Sequence, residues 1–348
     1  MRRLGVVLLG ALVLPLAGFG VAMAVPGETS FGDTTSVGVH NSYEKSTFPY
    51  FADALDSGAS LLELDLWTNG GGVDWRVSHS NPFASESNCV GTQDATGPRA
   101  GSSGSSSSGQ GFAGCLEDMR AWHDSHPEHP PVMIKLELKD GFTAGYGRGP
   151  ADLDALILNT LGDAVFTPAD LVGDQFATPD DAVTQRGWPS VNAMAGKFIF
   201  ELIPGTIEEK NPLDTWWTDV EYATHLRDLA AADRLGYAAA FPAVHGAEVG
   251  DPRIARYADP SVRPWFVIFD GDAAKYVSGA IDLNWYNERG YLLIMTDAQN
   301  VTPAIDGTHA SEGEAQDRLD RLAGDHASYI TSDWSRLPSV LATVVPRR

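Results

Sequence analysis

Basic residues are scarce in this sequence of 348 residues. It has 24 lysines and arginines against 46 aspartates and glutamates, which gives a formal net charge of −22 at pH 7. This balance excludes a nucleic-acid-binding surface, because such a surface needs a basic patch. It also provides no general attraction to anionic membranes, so a lipid substrate would have to be bound locally. Long apolar runs are equally few, since beyond the N-terminal segment no stretch is long enough to span a bilayer.

The N-terminal segment has the pattern of a secretory signal. Met1–Arg3 are followed by an apolar run from Leu4 to about Gly20 and by small residues that end at Ala24. This order predicts a signal peptide over residues 1–24 and a secreted, extracellular protein. An uncleaved membrane anchor is the alternative. A lipid-anchored lipoprotein is not expected, because no cysteine lies near the cleavage site.

Cys89 and Cys115 are the only two cysteines. An even number in an exported chain predicts one disulfide, and two free thiols are the alternative. The bond would close a loop of roughly 26 residues and stabilise the fold by on the order of 3 kcal/mol. Residues 81–111 fall largely inside this loop and contain a Ser/Gly run at 101–111. We therefore predict a flexible, disulfide-closed loop there, not a domain linker.

The segment at 60–67 carries the strongest strand signal. Leucines alternate with Glu63 and Asp65, which predicts a strand with one apolar face and one acidic face. Burying an unpaired carboxylate costs roughly several kcal/mol, so two of them need a compensating cation. A divalent metal is the simplest candidate. A structural ion-pair cluster with Lys135 and Lys139 is the alternative.

Strand and helix patterns alternate along the rest of the chain. Residues 130–140 repeat the arrangement of one apolar and one charged face. The alternation predicts parallel βαβ units in one α/β domain over residues 30–348, a TIM-type (β/α)8 barrel of regular or irregular form. An open doubly wound sheet is the alternative. The predicted strands lie at 33–39, 60–67, 75–79, 130–140, 196–202, 237–241, 264–269, 291–296 and 328–332, and the predicted helices lie at 46–58, 115–126, 151–161 and 220–235.

Polar side chains end several of these strands. His40 and His79 each end a predicted strand, and in a barrel the carboxyl ends of the strands meet at one mouth. Three carboxylates and an amide oxygen there predict a site for a hard cation, with calcium first and magnesium second. Two imidazoles beside such a cation suit acid–base catalysis on a phosphate ester, although a lone histidine can be a hydrogen-bonded loop residue. The four candidate metal ligands are Asn41, Glu63, Asp65 and Glu137, and Asp270, Asp297 and Asp333 follow further strands without an assigned role.

Four short motifs resemble those of one family. V-H-N-S-Y at 39–43, E-L-D-L-W at 63–67, V-S-H-S at 77–80 and L-E-L at 136–138 resemble the X-box half of calcium-dependent phosphoinositide-specific phospholipase C, especially its secreted single-domain bacterial members. The resemblance of motifs extends over residues 36–140. After residue 140 the chain resembles the family only in its alternation of strand and helix patterns. It implies a barrel enzyme that acts on a phospholipid substrate at a membrane surface.

The resemblance also implies roles for individual residues. His40 and His79 would be catalytic, and the four candidate ligands would hold calcium. The implied reaction is attack of the inositol 2-hydroxyl on phosphorus, which expels diacylglycerol and gives a cyclic inositol phosphate. Subsequent hydrolysis of that product is open. The resemblance also does not decide which residue acts as the general base, and the candidates are a histidine, Glu63 and Glu137.

The implied substrate is an unphosphorylated inositol lipid. The signalling enzymes carry lysines for ring phosphates after the strand that matches 196–202, whereas this chain has Glu201 there. We therefore expect phosphatidylinositol or a related glycolipid. Lys135 and Lys139 are further candidates for substrate binding. Trp216–Trp217 is a candidate membrane contact on the barrel rim, with packing into the core or a loop as its alternative.

Two other functions remain as alternatives. Glycerophosphodiester phosphodiesterases share the barrel, an E-x-D pair and two histidines, but that family usually shows His-Arg first and His-Asp second. This chain has His40-Asn41 and His79-Ser80, which favours the phospholipase. The second alternative is a non-catalytic, calcium-dependent module that binds lipid headgroups.

Overall fold

The computed structural model describes residues 25–68, 75–91 and 109–348. The signal peptide predicted at 1–24 and most of the loop predicted at 81–111 lie outside the described residues. The strands of the described part are β1 (Thr34–Val39), β2 (Leu61–Trp67), β3 (Arg76–Val77), β4 (Val132–Leu138), β5 (Phe198–Pro204), β6 (Ala240–His245), β7 (Ile268–Asp272), β8 (Leu292–Thr296), β9 (Tyr329–Ser332) and β10 (Val344–Pro346). Its α-helices are α1 (Phe51–Asp56), α2 (Phe112–Ser125), α3 (Pro150–Leu161), α4 (Pro168–Val172), α5 (Pro179–Gln185), α6 (Thr206–Glu209), α7 (Thr218–Ala231), α8 (Pro252–Arg256), α9 (Ala273–Tyr276), α10 (Asn284–Asn287), α11 (Glu312–Gly324) and α12 (Pro338–Leu341).

Eight parallel strands close into a barrel in the order β1-β2-β4-β5-β6-β7-β8-β9. The closure is made by β1, which pairs in parallel with both β2 and β9. The predicted TIM-type barrel is therefore confirmed. Two short strands flank it, since β3 pairs antiparallel with β2 and β10 pairs antiparallel with β1. The prediction that residues 75–79 form a barrel strand is wrong, because β3 has two residues and folds back along β2.

The inner face of the barrel carries the charged residues, as the alternating pattern predicted. Lys135 on β4 lies level with Glu63 on β2 and with Glu201 on β5. In the next layer toward the mouth, Asp65 lies level with Glu137. The intervening leucines of β2 are fully buried in the hydrophobic core. Their burial fixes the register of β2, because a slip of one residue would turn the carboxylates into the apolar layer.

Two strands begin later in the chain than the sequence pattern predicts. The strand predicted at 237–241 is observed as β6, and the strand predicted at 264–269 is observed as β7. In both cases a short 3₁₀ turn, Leu235–Tyr237 or Arg263–Trp265, occupies the residues before the strand. The shift places His245 and Asp270 within strands at the mouth of the barrel. No helix in the described part of the chain is long and apolar enough to cross a bilayer.

The predicted disulfide is present. Cys89 and Cys115 are bonded, with their Cα atoms 5.0 Å apart. The bond ties α2 to the segment that contains Asn88, whose side-chain amide donates to the carbonyls of Ser42 and Phe48 at 3.0 Å each. The disulfide therefore supports the loop that follows β1.

Removing this disulfide is expected to destabilise the protein. The double variant Cys89→Ala/Cys115→Ala should lose on the order of 3 kcal/mol of unfolding free energy, because the unfolded chain regains the freedom of a loop of about 26 residues. The corresponding fall in Tm, measured by calorimetry, is on the order of 5 °C. Reductant should lower the Tm of the wild type and leave that of the variant unchanged. Equal Tm values for both proteins without reductant would contradict the prediction.

Candidate active site

A cleft of about 160 Å³ opens at the carboxyl ends of the barrel strands. His40 follows β1 and lies on one side of it, and His245 ends β6 on the other side. Glu63, Glu137 and Asp270 line the cleft between them. The closure of the barrel thus gathers side chains as far apart in the sequence as His40 and Asp333, which are separated by 293 positions.

Three carboxylates converge beside the cleft. Glu63, Asp65 and Glu137 each offer an oxygen atom that lies within 4.8 Å of the others. Burial and the charges of Glu63 and Glu137 raise the pKa of Asp65 to about 7, against the opposing charge of Lys139. Both Asp65 oxygens are buried, and the Lys139 ammonium, 3.0 Å from Oδ2, is an ion-pair partner of this carboxylate. An all-oxygen, acid-rich cluster of this kind fits a hard cation such as calcium.

Two buried lysines compensate this charge only in part. The Lys139 ammonium lies 3.0 Å from Oδ2 of Asp65 and 3.0 Å from Oε1 of Glu137. The Lys135 ammonium lies 2.9 Å from Oδ2 of Asp270 and 3.6 Å from Oε1 of Glu63. The ion pairs of the structural alternative therefore exist, but the two ammonium groups are shared among four carboxyl groups. The four are Glu63, Asp65, Glu137 and Asp270, and their excess leaves room for a divalent cation.

Glu63 and Asn41 are held against each other. Burial alone would raise the pKa of Glu63, but the charges of Lys135 and His40 and a backbone hydrogen bond from Asn41 lower it below its ordinary value. That N–H of Asn41 donates to Oε2 of Glu63 at 3.1 Å. Asn41 has a φ of 51°, a conformation that few residues other than glycine adopt. Its amide Oδ1 accepts a hydrogen bond from the Tyr43 hydroxyl at 3.0 Å, which fixes the side chain beside the carboxylates.

His40 is oriented by two carboxylates. Its Nδ1 lies 3.0 Å from Oδ1 of Asp333, and its Nε2 lies 3.5 Å from Oε2 of Glu63. Burial acts to lower the pKa of His40, but the hydrogen bond to Asp333 and the charge of Glu63 outweigh it and raise the pKa to about 9. Asp333 follows β9, which neighbours β1 only because the barrel closes. The sequence placed Asp333 after a strand but gave no partner for it.

His79 occupies a different position from the one that the sequence predicted. It follows β3, outside the ring of barrel strands, and its side chain is 55% exposed. Its Nδ1 lies 3.4 Å from Oε1 of Glu44. The backbone N–H of Glu44 in turn donates to the carbonyl of Asn41 at 3.1 Å. His79 is therefore attached to the loop that carries His40 and Asn41, at the rim of the barrel.

Glu201 does not line the cleft, although it lies level with Lys135, which does. It is fully buried, and neither of its oxygens has a hydrogen-bond donor. Burial and the charges of Asp270 and Glu63 raise the pKa of Glu201 well above its ordinary value, while Lys135 acts in the opposite direction. The contact between Glu201 and substrate therefore stays a prediction from the sequence, without support from the lining of the cleft. The alternating pattern of β5 predicted that the Glu201 side chain points into the barrel. Its level along the barrel depends on the register between β5 and β4, which the sequence does not give.

Two groups on the β5–β6 side of the cleft were not predicted from the sequence. The backbone N–H of Thr206 donates to Oε1 of Glu137 at 3.1 Å and helps to fix this carboxylate. His245 lines the cleft, with its Nδ1 2.8 Å from Oε1 of Glu209. The motif pattern contained no signal for either group. A correct C-terminal boundary for β6 would have placed His245 at a strand end.

An α/β barrel with a cluster of carboxylates at its mouth defines the class of this protein, and comparisons with known proteins identify its family. The family profile described as phosphoinositide phospholipase C, Ca²⁺-dependent, matches residues 103–214. A solved structure of a Ca²⁺-dependent phosphatidylinositol-specific phospholipase C from Streptomyces antibioticus is 63% identical, with a TM-score of 0.88. That match covers 92% of this chain and 99% of the other. The chain therefore belongs to the calcium-dependent phosphoinositide-specific phospholipase C family, which confirms the resemblance of its motifs.

More distant structures share the fold. A calcium-dependent phosphoinositol-specific phospholipase C from a Gram-negative Pseudomonas species is 19% identical, with a TM-score of 0.64 and coverage of 92% of this chain and 96% of the other. Its structure in complex with myo-inositol gives the same values. No curated protein sequence matched this chain.

Proposed function

We propose that this protein is a calcium-dependent phospholipase C that cleaves phosphatidylinositol to diacylglycerol and a cyclic inositol phosphate. The observation that carries the proposal is the convergence of Glu63, Asp65 and Glu137 beside His40 at the mouth of the barrel. Membership of the phospholipase C family supports the same conclusion. In the proposed reaction the inositol 2-hydroxyl oxygen bonds to phosphorus, the bond from phosphorus to the diacylglycerol oxygen breaks, and a proton passes to that oxygen.

The carboxylate cluster is the proposed calcium site. Calcium bound by Glu63, Asp65 and Glu137, with Asn41 beside them, would neutralise charge on the phosphate oxygens and lower the pKa of a nearby hydroxyl. Backbone groups of the protein also position two of these carboxylates before calcium binds. The N–H groups of Asn41 and Thr206 each hold one of these carboxylates in place, which limits the reorganisation needed on binding.

The two histidines are proposed to handle protons. His40 is held by Asp333, and its raised pKa makes it a proton donor at neutral pH, suited to bond a phosphate oxygen. His79 lies at the exposed rim, where a departing diacylglycerol would leave, and it is proposed to protonate the leaving oxygen. As it attacks phosphorus, the inositol 2-hydroxyl loses its proton to a carboxylate of the cluster or to a neutral histidine.

The lining of the cleft favours a headgroup without ring phosphates. Among the described residues that line it, Lys135 is the single one with a fixed positive charge. Its ammonium is already within 2.9 Å of Asp270. A ring phosphate would therefore meet acidic groups without a free cationic partner. The preference for plain phosphatidylinositol thus rests on the cleft lining and not on Glu201.

Product analysis tests the proposed function. The wild-type protein with calcium should release cyclic inositol phosphate from phosphatidylinositol, detected by ³¹P NMR, and act far more slowly on phosphatidylinositol 4,5-bisphosphate. Glycerophosphoinositol and glycerophosphocholine should yield no glycerol phosphate. Release of glycerol phosphate would instead indicate a glycerophosphodiester phosphodiesterase. Calcium-dependent headgroup binding without any product would indicate a non-catalytic module.

Exposed apolar side chains on the rim are proposed to contact the lipid surface. Tyr146 lies in the loop after β4, and Leu213 and Trp216 lie in the segment after β5, with Leu213 91% and Trp216 52% exposed. These segments leave the carboxyl ends of adjacent strands, on the side where the cleft opens. Trp217 is more buried and donates its indole N–H to the carbonyl of Asp214. Of the predicted tryptophan pair, Trp216 is therefore the membrane contact that we propose.

Removing this rim contact is expected to weaken action on membranes selectively. Leu213→Ala/Trp216→Ala should lower the rate on phosphatidylinositol vesicles by about tenfold, because two apolar side chains no longer enter the lipid interface. The rate on a monomeric short-chain phosphatidylinositol should stay unchanged. Tyr237→Ala removes an exposed aromatic residue before β6, at the opposite end of the barrel, and is the control. Equal losses on both substrates would contradict a membrane role.

Export from the cell is a further part of the proposal. The disulfide between Cys89 and Cys115 supports it, because such bonds persist in oxidising compartments. Recovery of the protein from the culture medium, with the mature chain beginning after Ala24, would test it.

A further inference from the structure

We infer that His245, fixed by Glu209, is a substrate-binding residue that bonds a hydroxyl of the inositol ring on the wall opposite His40. This inference rests on the proposed function and names a contact within the same site. The recognised chemistry is that of a neutral polyol ring.

The barrel topology places the two histidines across the mouth from each other. His40 follows β1, the first strand in the barrel order, and His245 ends β6, the fifth of eight. Both side chains line the same cleft. A headgroup whose phosphate lies beside His40 and the carboxylate cluster therefore extends its ring toward His245.

The imidazole of His245 is already oriented. Its Nδ1 lies 2.8 Å from Oε1 of Glu209, which is on the short helix α6 after β5. The hydrogen bond of Nδ1 to this carboxylate leaves Nε2 as the atom available to a ligand. The charge of His245 and its hydrogen bond lower the pKa of Glu209 against the opposing effect of burial, so Glu209 remains an acceptor at neutral pH.

The neighbouring strand supplies a second group for the same ring. His245 lies level with Asp270 on β7. Asp270 is fully buried and lines the cleft, and its Oδ2 accepts from Lys135 while its Oδ1 has no hydrogen-bond donor. A buried carboxylate oxygen without a donor next to an oriented imidazole suits vicinal hydroxyl groups, each of which can donate and accept.

A purely structural role explains this pair poorly. The side chains of His245 and Glu209 are 26% and 28% exposed, and ion pairs at such positions contribute little to stability. The chain offers a matched control on α7. There, Nε2 of His225 lies 2.8 Å from Oδ2 of Asp154 in the same kind of pair, but His225 does not line the cleft.

The test compares substrate kinetics with the binding of myo-inositol. His245→Ala should raise KM for phosphatidylinositol about tenfold with kcat within about threefold, and should weaken myo-inositol binding in calorimetry by a similar factor. Glu209→Ala should shift both values in the same direction by less. Glu209→Gln should restore them, because its amide oxygen accepts from Nδ1–H. His225→Ala should match the wild type.

The outcomes separate this inference from the proposed function. Wild-type KM and myo-inositol affinity in a folded His245→Ala protein would overturn the role of His245, and so would equal losses in His225→Ala. Myo-inositol binding is measured without turnover. A wild type that binds myo-inositol but releases no product would therefore overturn the proposed function, while the binding comparison would still decide the role of His245.

Discussion

Chelation of calcium with EGTA is expected to abolish the release of inositol phosphate, and added calcium should restore it. The cluster of Glu63, Asp65 and Glu137 is acidic beyond what Lys135 and Lys139 compensate. Without a divalent cation, a phosphate diester would approach this excess negative charge directly. Several kcal/mol of transition-state stabilisation are then lost, which corresponds to a fall of about 10³-fold or more in kcat. Initial rates at buffered free calcium concentrations measure the effect.

Variants of the cluster separate calcium binding from folding. Glu63→Gln and Asp65→Asn should each lose activity to a similar extent. Asp65→Asn should nevertheless keep or raise its Tm without calcium, because burial and two neighbouring carboxylates raise the pKa of Asp65 and ionisation at pH 7 therefore destabilises the fold. Calcium should raise the Tm of the wild type and have little effect on that of the variant. Full activity of the wild type in EGTA, or wild-type rates in both variants, would remove the cluster from the mechanism.

Replacing His40 by alanine is expected to produce the second-largest effect, a fall of about 10²–10⁴-fold in kcat. The variant removes the imidazole that Asp333 and Glu63 orient beside the carboxylate cluster. Asp333→Asn should lower kcat by about tenfold, because the ring loses the charge that favours its protonated form. His79→Ala should also lower kcat strongly if it protonates the leaving oxygen.

The matched control for these variants is His309→Ala. His309 is an exposed histidine whose Nδ1 lies 3.7 Å from Asp306, in the loop before α11. It should leave kcat unchanged. A headgroup-release assay with saturating phosphatidylinositol and calcium compares the proteins, and calcium titration confirms that the metal site is intact. A His40→Ala protein that binds calcium and turns over at the wild-type rate would exclude His40 from the chemistry.

The barrel and the convergence of the three carboxylates were predictable because local pattern determines both. Alternating leucines and acids on β2 fix which side chains point inward, and β4 repeats the arrangement in register with β2. Once the strands are parallel and alternate with helices, Glu63, Asp65 and Glu137 must share one end of the barrel. The disulfide was predictable without any geometric argument, because the sequence contains only two cysteines.

Features that depend on closure or on short turns were not predictable in the same way. His40 meets Asp333 only because β9 pairs with β1, a contact across about 290 residues of sequence. His79 was misplaced because the two-residue strand β3 turns back antiparallel, and alternation in a short segment does not distinguish that from a barrel strand. His245 was missed because a 3₁₀ turn delays the start of β6.

One missed element did carry a sequence signal. Helix α11 begins with a capping box, in which the Ser311 hydroxyl accepts from the N–H of Glu314 and the Glu314 carboxylate accepts from the N–H of Ser311. The S-x-x-E spacing that marks this cap is present in the sequence. Closer attention to caps would therefore have added the helix that precedes β9.

Calorimetric titration with calcium tests the central claim most directly. The wild-type protein should bind one calcium ion per chain, and Asp65→Asn and Glu137→Gln should each weaken that binding by at least tenfold. The control Glu201→Gln, at a buried residue that does not line the cleft, should change it far less. Calcium binding of wild-type strength in both Asp65→Asn and Glu137→Gln would show that these carboxylates do not hold the calcium ion and would contradict the account.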